Sequence, residues 1–201
     1  MPHSPDCGSE KARRLALGLA ALIVVTAIAV AAVMRSPGPP VDPVRSGPVE
    51  NAIKELDLIR PSQPKPAEDF AVPTPHGRTF RLSEQRGKIV FINFWATWCP
   101  PCREEMPALE RLYERTKHTG VEMLAISVDA DPASITPFLG EQPFTFTVGL
   151  DPKMSVANTY GVRGLPASFI VDREGNLAAI AFGPRAWDSP ASQTLIGGLG
   201  R

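Results

Sequence analysis

KIVFINFWATWCPPCREEMP, Lys88 to Pro107, decides how this chain folds and carries two of its three cysteines. It opens on a nearly continuous apolar run, Lys88 to Ala96, which predicts a central β-strand covered on both faces. Past Cys99, Met106, Leu109, Leu112 and Tyr113 recur at helical spacing, so a helix is expected from Pro100 to Lys117, with Gly120 beyond its end. Cys99 therefore stands at the mouth of a strand-to-helix turn. Unpaired backbone N–H groups and the positive end of the helix dipole both favour thiolate over thiol there. Since the thiolate is the attacking form, Cys99 reads as a nucleophile. Cys102, three residues on and on the same helical face, is spaced to resolve a mixed disulfide at Cys99. Pro100 and Pro101 stiffen the first turn without removing a hydrogen bond the helix would otherwise make.

Two other uses of the pair stay open at this level. One is a permanently closed disulfide, although a bridge over so short a loop constrains the unfolded chain little. The other is a zinc or copper half-site, against which stand the missing second CxxC and the lack of a ligand pairing for His3, His76 and His118.

The chain has 201 residues, room for one domain plus appendages, and 21 Lys and Arg balance 21 Asp and Glu. That balance argues against a nucleic-acid binder, whose footprint is a clustered basic excess. Leu15 to Met34, LALGLAALIVVTAIAVAAVM, is uncharged and has about the ~20 residues that cross a bilayer as a helix. Lys11, Arg13 and Arg14 precede it and Arg35 alone follows, so the N-terminal tail 1–14 is expected in the cytoplasm and the rest outside. A cleaved signal peptide is the competing reading, on the small-x-small Ala29-Val30-Ala31, but the run exceeds a usual signal core. Cys7 reads as an incidental thiol of the tail.

Residues 35–66 are expected to form a proline-rich spacer, with Val49, Ala52, Ile53, Leu56 and Ile59 near helical spacing as one short amphipathic packing helix. The domain proper is expected over 67–201. FAVPT and RTFRL flank a P-H-G turn and read as a hairpin, and Val121 to Asp129 reads as a second buried strand. Asp131-Pro132 and Asp151-Pro152 predict helix starts: a helix at 132–140 with a strand at 144–150, then a helix running to Tyr160. ASFIVD and LAAIAFG around R-E-G-N predict an antiparallel hairpin. The order makes an α/β mixed sheet with helices on both faces and a central αβ insertion. Gly197, Gly198 and Gly200 make any final helix marginal.

WCPPC between KIVFINFWAT and REEMP resembles the membrane-anchored TlpA/ResA branch of the thioredoxin superfamily. The likeness runs from Ala67 to Trp187 and includes Gly87-Lys88, G-V-R-G-L-P at Gly161 to Pro166 and F-I-V-D-R-E-G at Phe169 to Gly175. Gly183 to Trp187, GPRAW, resembles the TlpA arm of that branch more than its other members. The resemblance implies a thioredoxin-like fold and an anchored thiol-disulfide oxidoreductase using a Cys99–Cys102 redox disulfide and no cofactor. It implies that Pro166 is a cis-proline facing the pair, against the alternative of an ordinary trans loop proline. It implies that Glu105 relays protons as the thiols titrate, against that of a solvated carboxylate near the helix start. Asn93 stands where thioredoxin has a buried acid, a departure that shifts acid-base work toward Glu105 or water.

Trp98, Pro100, Pro101 and Leu165 make up the expected substrate-binding surface. For Trp98 the alternative is core packing, and Trp95 is expected to point inward. Pro107 falls inside the helix and is expected to bend it. By the same resemblance the domain faces the periplasm from the inner membrane. Electrons come from a CcdA or DsbD-type membrane thiol transporter. The client proteins carry disulfides and serve cytochrome c or cytochrome oxidase copper-centre maturation. Two rival activities are a Cu(I)-binding chaperone using both thiolates and a peroxiredoxin-type peroxidase. Against the second, Thr97 stands two residues before Cys99, not three.

Overall fold

The computed structural model describes residues 47–142 and 144–200. The tail 1–14 with His3 and Cys7, the apolar run 15–34 and spacer residues 35–46 lie outside them. Among the described residues no helix is long and apolar enough to cross a membrane.

Helix α1 (Pro48–Glu55) leads to a hairpin of β1 (Ala71–Pro73) and β2 (Thr79–Arg81). Then follow β3 (Ile89–Trp95), α2 (Pro100–Thr116), β4 (Val121–Ser127), α3 (Ile135–Glu141) and β5 (Thr147–Leu150). The chain closes with α4 (Ser155–Thr159), β6 (Ala167–Val171), β7 (Leu177–Phe182) and α5 (Pro190–Leu199). The main sheet has the order β5-β4-β3-β6-β7. Strand β3 runs parallel to β4 and antiparallel to β6, so the sheet is mixed, as expected.

Every residue of β3 is buried because it has a strand on each side and a covered face above and below. Alternation puts Phe91, Asn93 and Trp95 on one face and Ile92 and Phe94 on the other. On the first face Phe91 meets the edge of Trp187, with centroids 4.7 Å apart, and Trp95 packs on Phe138 of α3. On the second, Phe94 contacts Tyr160 and Phe169. Each such aliphatic or aromatic side chain contributes roughly 1.5–3 kcal/mol on burial. Gly120, with φ 82, takes the left-handed turn that ends the α2 segment and feeds β4.

Three expectations are corrected. Residues 48–66, read as spacer for their prolines, belong to the packed body: Ala52, Ile53 and Leu56 are buried in its core. Ile59 exchanges both backbone hydrogen bonds with Ile180 at 2.8 Å, and Pro66 bridges Asn176. An extended, proline-rich stretch suits this task, since it covers the outer edge of β7 without presenting a new edge. Second, α5 is a full helix despite its glycines. Ser189 caps it, and Gly198 lets Val49 of α1 approach where a Cβ would collide with Val49 Cγ2. Tertiary packing overrides the weak helix propensity of glycine. Third, the helix expected directly after Asp151-Pro152 begins only at Ser155, past Met154 in the left-handed region with φ 54. Asp151 still caps it, accepting from the N–H groups of Ser155 at 2.8 Å and Ala157 at 2.9 Å.

Candidate active site

Strand β3 ends at Trp95, and a four-residue turn delivers Cys99 to the N-cap of the 17-residue α2. Cys99 and Cys102 are joined by a disulfide, with Cα atoms 5.3 Å apart. The Cys99 sulfur also accepts the N–H of Cys102 at 3.3 Å. It is thus the atom that receives the open end of the helix, and opening of the bridge leaves it with a donor and a favourable dipole. Cys99 is 5% exposed and Cys102 1%, so an approaching molecule meets Cys99 first.

The turn is held from below by Asp129, which the sequence reading did not single out. Its buried carboxylate accepts from Thr97 N at 3.0 Å, Thr97 Oγ1 at 2.6 Å and Ser127 Oγ at 2.6 Å. The Thr97 hydroxyl gives its only hydrogen to Asp129, and so has none to offer a molecule at Cys99.

Glu105 lies one turn past Cys102 and is 4% exposed, which excludes the reading of a solvated helix-end carboxylate. Its Oε1 accepts from the N–H of Arg185 at 3.0 Å and from the indole N–H of Trp187. Its Oε2 faces Asn93 Nδ2 at 3.5 Å, and Asn93 donates in turn to Ser168 Oγ at 3.0 Å. Burial outweighs these donors and pushes the Glu105 carboxyl up to about 7. A group poised there takes or gives a proton with equal ease at neutral pH. The side chain borders a surface cleft of about 320 Å³ between Pro101, Glu104 and Ala108 of α2 and Pro184 and Ala186 of the following loop.

The Leu165–Pro166 bond is cis, not the trans alternative. Pro166 is buried and directly precedes Ala167, whose partner across the sheet is Phe94, so it lies at the end of β3 from which the cysteine turn departs. The carbonyl of Pro166 is taken by Gly183 N at 2.8 Å. Leu165 is half-buried, Pro100 and Pro101 are exposed, and Trp98 is 66% exposed, which excludes core packing for that indole. Trp95 is fully buried, and α2 runs on through Pro107.

The structure thus brings Cys99, Cys102 and Glu105 together on α2, with Pro166 at the same end of the sheet. Sequence reasoning missed Arg185 and Trp187 as partners of Glu105, although the GPRAW segment containing both was noticed. Nothing local signals such a pairing, because the contacts join residues 80 and 82 positions apart.

The sequence profile of the AhpC/TSA family matches residues 64–180. The thiol-disulfide oxidoreductase ResA of Bacillus anthracis is 38% identical over 113 residues, 56% of this chain and 65% of that protein, so the match spans just under two thirds of the relative. ResA of Geobacillus thermodenitrificans is 40% identical over 58% of this chain and 67% of its own length. Among solved structures, a Chlorobium tepidum protein provisionally described as thiol:disulfide interchange protein DsbE superposes with a TM-score of 0.65. It is 34% identical, over 70% of this chain and 99% of that one.

Proposed function

The chain belongs to the AhpC/TSA family, and from that premise we propose that it is a thiol-disulfide oxidoreductase of ResA/DsbE type. The observation that carries the reading is the Cys99 sulfur at the N-cap of α2, receiving the Cys102 N–H. In the reduced protein the Cys99 thiolate attacks a client disulfide, one client thiolate leaves, and a mixed disulfide forms. Cys102 then loses its proton and attacks the Cys99 sulfur, which releases the second client thiolate and restores the bridge. Two electrons pass to the client. Glu105, poised about neutrality one turn away, is the group that accepts the Cys102 proton. Trp98 and the backbone around Leu165 and Pro166 form the client-binding face; exposure of the indole beside the cysteines supports this.

The finer reading is an anchored reductant, held by the apolar run 15–34 with its domain in the periplasm. A membrane thiol transporter of CcdA or DsbD type returns the two electrons, and the clients serve cytochrome c or oxidase copper-centre maturation. The basic residues before the apolar run support the orientation, and the resemblance of WCPPC and its flanks to the TlpA/ResA branch supports the donor and the clients.

Trapping tests the proposal. With Cys102→Ala, Cys99 is expected to accumulate in stable mixed disulfides with cellular proteins, which mass spectrometry identifies. Absence of Cys99 adducts in cells, with the variant folded and reduced, overturns it.

A further inference from the structure

We infer that Arg185 is a positioning residue for Glu105: its guanidinium, tied to the end of α1, holds the 183–187 loop so that two N–H donors stay on the carboxylate. The inference rests on the acid-base reading of Glu105 given above.

The guanidinium directs its donors to four backbone carbonyls and to the exposed Asp57 carboxylate. Nε donates to Leu56 O at 2.6 Å, and Nη2 to Asp57 O at 3.0 Å and Asp57 Oδ2 at 3.2 Å. Nη1 donates to Pro184 O at 2.9 Å and Phe182 O at 3.3 Å, closing the loop on itself. Only 18% of this side chain is exposed, unlike an ordinary surface arginine. Asp57 is held in the left-handed region, φ 49, which is uncommon for a residue other than glycine. Its carbonyl and carboxylate both meet Arg185 there. The far side of the same residue is the backbone N–H on Glu105 Oε1, and Trp187, two residues on, supplies the second donor. One fork therefore connects the segment just after α1 to the electrostatics of the acid beside the cysteines.

The surroundings of Glu105 leave few other charges to set its protonation. Arg185 is the cation that faces it from the loop. On α2, Cys102 titrates one turn earlier once the bridge is open, and the adjacent Glu104 points to solvent. From β3 and β6 the neighbours are the neutral Asn93 and Ser168. Freeing the guanidinium lets the loop shift and takes donors from a buried carboxylate, which favours its neutral form.

The test uses the full-length reduced protein and follows the rate of Cys99 alkylation by iodoacetamide against pH, read by mass spectrometry. Wild type, Arg185→Ala, Arg185→Lys, Glu105→Gln and the double variant Glu105→Gln/Arg185→Ala are compared. The inflection that Glu105→Gln abolishes is expected to move up by about half a pH unit or more in Arg185→Ala. Arg185→Lys, which keeps the charge without the fork, is expected to show a smaller upward shift and serves alone if Arg185→Ala does not fold. In the Glu105→Gln background, Arg185→Ala is expected to add nothing. Arginine variants that lower the melting temperature but keep the wild-type inflection reduce Arg185 to a structural staple and overturn the inference. So does a shift that persists without Glu105. A Glu105→Gln profile identical to wild type instead removes the acid-base reading itself, a separate failure.

Discussion

The indole N–H of Trp187 donates to Oε1 of Glu105 beneath the first turns of α2, joining residues 82 positions apart in the chain. Both side chains are almost fully buried, and the edge contact with Phe91 fixes the indole from the other side. Burial among these residues raises the Glu105 carboxyl to about 7, and the indole donor holds it from rising further.

Trp187→Phe keeps an aromatic ring against Phe91 and deletes the donor. The variant is expected to lose about 1–3 kcal/mol of stability at pH 8, where the carboxylate is charged and one donor short. The loss is expected to shrink at pH 5, where the carboxyl is neutral. Urea midpoints at the two pH values check it, and an equal loss at both would make the indole a packing element only.

Glu105→Gln is expected to flatten the pH dependence of stability of the oxidised protein. A carboxyl raised from 4.5 to about 7 on folding favours the folded state while neutral. That contribution is full below pH 4.5 and is lost as pH rises through about 7. Wild type should therefore lose on the order of 3 kcal/mol relative to the glutamine variant across that window. Parallel denaturation curves for the two proteins from pH 4 to 8 would show that Glu105 titrates as if in water.

Asp129→Ala removes the acceptor beneath the cysteine turn and strands the N–H and hydroxyl of Thr97 and the hydroxyl of Ser127. A cost of about 2–3 kcal/mol is expected. Amide hydrogen exchange at Thr97 and Trp98 should quicken more than exchange in α5. Uniform change across the chain would deny Asp129 its local role.

Gly198→Ala reverses the usual sign. In a solvent-facing helix the change stabilises by up to about 1 kcal/mol, but here the new Cβ collides with Val49 Cγ2. A lower melting temperature is expected, with partial recovery in Gly198→Ala/Val49→Ala. Strict additivity of the two single changes would show that the helices do not meet there.

Much of the molecule was legible in the order of its residues. The apolar run of β3, the N-cap cysteine, the prolines of the first turn and the helical spacing of Met106, Leu109 and Leu112 are local signals, and each element formed within a residue or two of its expected bounds. The resemblance to the TlpA/ResA branch rested on these segments together with Gly161 to Pro166, Phe169 to Gly175 and Gly183 to Trp187, and the AhpC/TSA family match over residues 64–180 covers all but the last. Asp151 shows the limit of such signals: its capping chemistry was readable, but the helix start was displaced by the left-handed turn at Met154.

Strand, cap and thiol pair followed from the chain alone, because backbone geometry and helix-end chemistry depend on neighbours within one or two turns. Only the tertiary structure decided that Glu105 is dry, that α1 joins the body and that a glycine-bearing segment becomes α5. Solvation and close approach are set by residues distant in sequence: Asn93, Arg185 and Trp187 around the acid, and Val49 against Gly198. A linear pattern shows which groups can titrate, and the packed neighbours set the pH at which this one does.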